Sequence, residues 1–207
     1  MDLDSRHYYS RHSSFYLTWN NIYPIFGENR TIIGQGFVAD GLFITAAHIL
    51  KVYVAPYILV NGRTYALSKE PPLFVSFFED SNVPEDSYDL AVYNFKGVES
   101  PLTLSSYLPQ IGDVLSSHCM VDVAEGTSIF ADRRIILDTT PAYPIGAVQG
   151  NYFVCECVRH EGSSGSPLLN NNDVVGIMHG GYGNDECVFL SASAIIKALK
   201  EHHQFSK

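Results

Sequence analysis

The 207-residue chain has no run of about 18 apolar residues, so no transmembrane helix is expected. Its first residues, Met1-Asp2-Leu3-Asp4-Ser5-Arg6, lack the charged-then-apolar order of a secretory leader, which makes cytoplasmic residence the expectation. Basic charge is also scarce. Lys and Arg total 13 against 22 Asp and Glu, a formal net charge of -9. With no basic stripe to offset that balance, non-specific binding to nucleic acid or to an anionic membrane is not expected. The small basic patch of Arg6, His7, Arg11 and His12 reads as a solvated terminus. Repeats and low-complexity tracts are lacking too.

Cysteine is limited to Cys119, Cys155, Cys157 and Cys187. Cys155 and Cys157 would share one face of a strand, too far apart in an extended chain for an ordinary disulfide. Reduced, buried thiols are the reading adopted, with no metal and no cofactor. The alternative is a structural zinc held by the Cys-x-Cys pair together with Cys119, Cys187 or His160.

What the chain does have is 46% hydrophobic residues, 13 Tyr, 12 Phe, 16 Gly and 10 Pro, a mix that favours many short strands joined by turns. Residues 31 to 45 read as a hairpin turning at Ala39-Asp40-Gly41, and Asn61-Gly62 between apolar runs marks a second. Further strands are expected at 73–78, 90–95, 114–123, 135–137, 152–158, 174–178 and 188–190. One helix closes the chain, capped by Ser191 or Ser193, with Ile195, Ile196 and Leu199 on one face. The pattern weakens between Gly97 and Asp113, which suggests an N-terminal β-barrel over 1–108 and a C-terminal barrel plus helix over 109–207. The expected class is all-β, as Greek-key barrels or a sandwich.

Three segments carry chemistry. Gly162-Ser163-Ser164-Gly165-Ser166-Pro167 sets a serine in a glycine-flanked turn that can expose its hydroxyl and gather backbone N–H groups in one small volume. A tetrahedral oxyanion is stabilised by such donors, and the turn Gly162, Ser163, Ser164 would supply them, chiefly through the amides of Gly162 and Ser164. Serine is a poor nucleophile without a base, and His48 after Ile44-Thr45-Ala46-Ala47 is the candidate. Its imidazole needs an acceptor to fix the tautomer, for which Asp89 is placed just before Leu90-Ala91-Val92-Tyr93. The order His, Asp, Ser excludes α/β-hydrolases, whose triad runs Ser, Asp or Glu, His.

These segments resemble the chymotrypsin-like serine peptidases. Thr45-Ala46-Ala47-His48 is similar to that family's histidine motif, Asp89-Leu90-Ala91-Val92 to its aspartate motif, and the Gly162–Pro167 turn to its G-D-S-G-G-P motif. The resemblance implies two perpendicular Greek-key barrels with the triad in the cleft between them. Ser163 replaces the usual aspartate, Ile49 replaces the cysteine after the histidine, and Ile32-Ile33-Gly34 lies inside the first hairpin. Activation by a freed N-terminus is therefore not expected. The closer likeness is to glutamyl endopeptidases, HtrA-type domains and viral 3C-like proteases. The turn also resembles the coronavirus main protease sequence G-S-C-G-S, and a viral enzyme would reside in host cytoplasm.

The resemblance implies a primary pocket walled by Val158, Arg159 and His160 on one side and Met178, His179, Gly180 and Gly181 on the other. No aspartate sits six residues before Ser164, so basic specificity is disfavoured. His179 suggests Gln or Glu before the cut, as in 3C-like and glutamyl peptidases. It falls one residue late against Gly176, however, and alternation along a strand would then aim it away from the pocket. The competing reading makes it a structural histidine near Asp89. The expected partner is a protein or peptide substrate. Two other classes compete: a catalytically silent protease-fold scaffold and a zinc-supported binding domain.

Overall fold

The computed structural model describes residues 21–28, 30–60, 63–78, 87–95, 100–125, 132–182 and 185–205. The first hairpin forms as expected. Strand β2 (Ile32–Ala39) returns as β3 (Leu42–Thr45) through Asp40 and Gly41, whose φ angles of 50° and 76° are the left-handed pair that a tight hairpin requires. The second pairs β4 (Tyr57–Val60) with β5 (Arg63–Ala66), although its turn residues 61 and 62 lie outside the described residues. With β1 (Ile22–Phe26), β6 (Phe74–Ser76) and β7 (Leu90–Tyr93) they make an antiparallel sheet in the order β5-β4-β1-β2-β3-β7-β6. Its two ends do not pair with each other among the described residues, so this sheet is an open half-barrel.

The second sheet does close. Strands β9 (Leu115–Glu125), β10 (Asp132–Pro144), β11 (Tyr152–Glu156), β14 (Glu186–Ser191), β13 (Asp173–Tyr182) and β12 (Pro167–Asn170) run in that order, and β12 pairs with both β9 and β13. Two-residue β8 (Thr103–Leu104) adds to β13 in parallel. It precedes the division expected at 108 yet hydrogen-bonds to the second sheet. Two helices occur among the described residues: short α1 (His48–Val52) and C-terminal α2 (Ala192–Phe205). Ser191 caps α2 by accepting the N–H of Ala194 at 3.2 Å, and Ile195 and Ala198 are buried beneath it.

One hydrophobic core spans both sheets. Phe37, Ile44, Leu90 and Val92 from the first pack with Met120, Leu169, Val174, Ile177, Leu190 and Ile195 from the second sheet and α2. Fully buried Gln35 crosses the same junction, with its amide accepting the Met120 N–H and donating to the Met120 carbonyl, both at 2.7 Å. Each polar atom of that side chain is thus used in the way a strand neighbour would use it. No helix among the described residues is long and apolar enough to cross a membrane.

Candidate active site

Pairing of β3 with β7 brings the expected base and its acceptor together. Thr45 lies opposite Ala91, so the residues that follow β3 run past those that precede β7. Ala46 and Ala47 are buried, and their small side chains let the chain turn directly into α1 with His48 as its first residue. His48 Nδ1 lies 2.5 Å from Asp89 Oδ2, and the His48 N–H donates to Asp89 Oδ1 at 2.7 Å. The Asp89 side chain is wholly buried while that of His48 is 34% exposed, so the imidazole can still meet a substrate. Burial alone would raise the Asp89 carboxyl. Hydrogen bonds from His179 and His48 and their charge outweigh it and hold the group well below the usual carboxylate range. Tyr152 also touches this centre, its hydroxyl accepting the Asp89 N–H at 3.1 Å.

The serine turn is pinned to β2 and β13. Gly162 and Gly165 adopt φ of +75° and +85°. A Cβ at Gly165 would sit 2.0 Å from the Gln35 carbonyl oxygen, so glycine is demanded by space as well as by φ. Gln35 N–H donates to the Ser164 carbonyl at 2.8 Å, and its side chain reaches the Gly162 carbonyl at 3.2 Å. Gly165 N–H donates to Met178 O at 2.8 Å. Of the three N–H groups expected in the turn, that of Ser163 is committed to His160 O at 3.1 Å. Those of Gly162 and Ser164 meet no backbone carbonyl among the described residues, leaving two donors for an incoming oxygen. His48 makes its side-chain hydrogen bond to Asp89 and none to the Ser164 hydroxyl among the described contacts. Such bonds are often loose before substrate arrives.

The strand expected to wall the pocket contains a β-bulge. Met178 pairs with Phe189 and Gly180 with Val188, so His179 is the extra residue of β13. Bulges re-aim a side chain, and this one turns His179 onto Asp89, with Nδ1 2.6 Å from Oδ2. Met178 is buried in the second barrel, packed among residues such as Phe153 and Phe189. On the facing segment Val158 is 50% exposed, and Arg159 is exposed with Nη1 donating to Gly181 O at 3.0 Å. His160 Nε2 lies 2.6 Å from Asp138 Oδ2, a carboxylate that belongs to no motif. Gln35, Asp138 and Tyr152 carried no motif signal, because their roles arise from long-range pairing alone.

All four thiols are free and buried. Burial pushes those of Cys119 and Cys155 up to about 12, which leaves them protonated and unreactive. Two groups of potential metal ligands occur among the described residues: His48, Asp89 and His179, and Cys119, Asp138 and His160. Neither contains Cys155 or Cys157, on which the zinc alternative was built.

The two-sheet architecture and C-terminal helix define a chymotrypsin-like serine protease fold. Among solved structures, the chain is similar to an inactive form of Rv3671c from M. tuberculosis H37Rv at 15% identity and TM-score 0.63, covering 94% of this chain and 92% of that one. It is similar to the serine endoprotease from Yersinia pestis at 14% identity and TM-score 0.63, covering 96% and 70%. The scabies mite inactivated protease paralogue S-I1 is similar at 13% identity and TM-score 0.62, covering 91% and 96%. No protein-family model and no curated protein matches the chain.

Proposed function

We propose that the chain is a serine endopeptidase working through an acyl-enzyme, with Ser164 as nucleophile, His48 as general base and acid, and Asp89 as orienting carboxylate. The observation that carries this reading is the buried Asp89 bound to both the backbone and Nδ1 of His48, together with a glycine turn in which the Gly162 and Ser164 N–H groups meet no backbone carbonyl among the described residues. An ionised carboxylate only accepts, so the His48 proton resides on Nδ1 and Nε2 presents its lone pair to the serine. Ser164 Oγ attacks the scissile carbonyl as Nε2 takes its proton. The developing oxyanion is held by the Gly162 and Ser164 N–H groups. Collapse expels the amine, which takes the proton back from Nε2, and water then repeats the sequence on the acyl-enzyme.

Gln or Glu is the proposed residue before the cut. With His179 turned onto Asp89, its support comes from Arg159, whose exposed guanidinium lies against Gly181 and has further N–H donors suited to a carboxamide or carboxylate oxygen. Polyprotein processing by a viral 3C-like enzyme is the finer form of this proposal and rests on the likeness of the Gly162–Ser166 turn. The alternatives are a cellular protease of HtrA or glutamyl-endopeptidase type and a silent scaffold. The scaffold is favoured by one observation, that the same fold occurs in an inactivated paralogue.

Profiling a peptide library with the purified protein and its Ser164→Ala control tests the proposal. Cleavage after Gln or Glu, lost in the control, is the expected result. A strong preference for Arg, Lys or large aromatics overturns the specificity. Absence both of cleavage and of labelling by a serine-directed phosphonate overturns the activity.

A further inference from the structure

A histidine–aspartate pair needs one imidazole on the carboxylate, but Asp89 carries two. Oδ2 receives Nδ1 of His48 at 2.5 Å and Nδ1 of His179 at 2.6 Å, while Oδ1 receives the His48 N–H at 2.7 Å. Since an ionised carboxylate offers no proton, both imidazoles must donate from Nδ1. Both lone pairs of one oxygen are thus filled by ring N–H groups from opposite sides of the interface between the sheets, His48 following β3 and His179 standing on β13.

The ring of His179 is held in its plane by neighbours. Phe78 lies 5.3 Å away at 32°, Tyr152 5.4 Å away at 60°, and His48 meets it edge-on at 5.8 Å. Its backbone is fixed by the bulge between Met178 and Gly180. A side chain fixed at both ends and spent on a buried carboxylate is poorly placed to bind substrate through that same nitrogen.

We propose that His179 is a positioning residue of the catalytic centre, holding Oδ2 of Asp89 in line with His48 Nδ1 before His48 takes up a proton. The consequence for rate rests on the peptidase reading above. Two effects oppose each other. Sharing Oδ2 draws some negative charge away from His48, which weakens it as a base by an amount typical of one neutral hydrogen bond, about 1 kcal/mol or fivefold. Losing the orientation of the aspartate costs more, since a misplaced acceptor disturbs the tautomer on which proton transfer depends. Orientation wins, and removal of His179 slows turnover.

Three variants test this. In His179→Phe the ring remains and the donor is lost, so kcat should fall about 10- to 100-fold with KM within about twofold of wild type. His179→Asn restores a donor and should recover kcat to within several-fold, whereas His179→Ala should behave like the Phe variant. Unchanged kcat in His179→Phe overturns the proposal, as does an effect confined to KM, which would return His179 to substrate binding. A second readout needs no turnover. Proton NMR of the Ser164→Ala protein should show two strongly downfield ring N–H resonances, of which His179→Phe removes one and moves the other. A single such resonance overturns the shared arrangement. Two resonances in a protein whose wild type cleaves nothing would sink the peptidase reading while supporting the hold of His179 on Asp89.

Discussion

The side chain of Gln35 on β2 and the backbone of Met120 on β9 exchange two hydrogen bonds of 2.7 Å across the junction between the two sheets. Replacing Gln35 with Leu keeps the volume roughly but strands the Met120 N–H and carbonyl in a buried place. The expected loss is about 2 to 4 kcal/mol, read from the urea midpoint, and activity should fall with it because Gln35 also holds Gly162. A loss below about 0.5 kcal/mol would mean that water replaces the amide without cost.

Acid should weaken the protein through Asp89. Its folded value is depressed below the ordinary 3.8, so its contribution to stability is present above that value and drains away as pH falls through the folded value. As pH falls below about 4 the wild type should therefore lose more stability than Asp89→Asn, measured by denaturation at each pH. Parallel pH dependence in the two proteins would remove Asp89 from this role.

Gly165 and Gly180 make a contrasting pair. Alanine at 165 would place Cβ 2.0 Å from the Gln35 oxygen at a positive φ, whereas alanine at 180 meets nothing within 4 Å. Gly165→Ala should cost more than about 3 kcal/mol or abolish soluble folded protein, while Gly180→Ala should melt within about 1 kcal/mol of wild type.

Ser166 Oγ is buried and, among the described residues, without a hydrogen-bond partner. Ser166→Ala removes an unsatisfied hydroxyl from the glycine turn, and thermal melting should show it unchanged or up to about 1 kcal/mol more stable. Destabilisation by more than that would reveal a partner for the hydroxyl.

Thiol reactivity offers a simple check on the core. A colourless disulfide reagent should titrate none of the four cysteines in the native protein and all four in denaturant, given their burial.

How far the sequence led differs from place to place, for physical reasons. The Asp40-Gly41 turn was legible because only certain residues accept two left-handed φ angles in succession. His48, Asp89 and the Gly162–Pro167 turn were legible because their spacing is tied to chemistry. Strand β1 was not, since Pro24 inside Ile22–Phe26 argues against a strand and is tolerated here where β4 reaches β1 only at Phe26. Strand β12 was hidden because Pro167–Asn170 is only four residues long and opens on a proline directly after the serine turn. Alternation along a strand aims His179 away from the pocket, whereas the bulge that delivers it to Asp89 leaves no trace in the residue pattern. Gln35 left no mark at all, because a glutamine in a strand is ordinary until its partners from Met120 and Gly162 arrive.

The close approach of Gly165 to the Gln35 carbonyl has a consequence for control. Enzymes assembled from two lobes are often governed by a hinge that opens and shuts the gap between them. Here the turn that carries Ser164 touches the backbone of the other lobe with no room for even a methyl group, and a shared core lies beneath. Opening that gap would break the Gln35–Ser164 hydrogen bond and part the shared core. Any switch acting on this protein must instead work on loop conformation or on access to the cleft, with the two lobes moving as one piece.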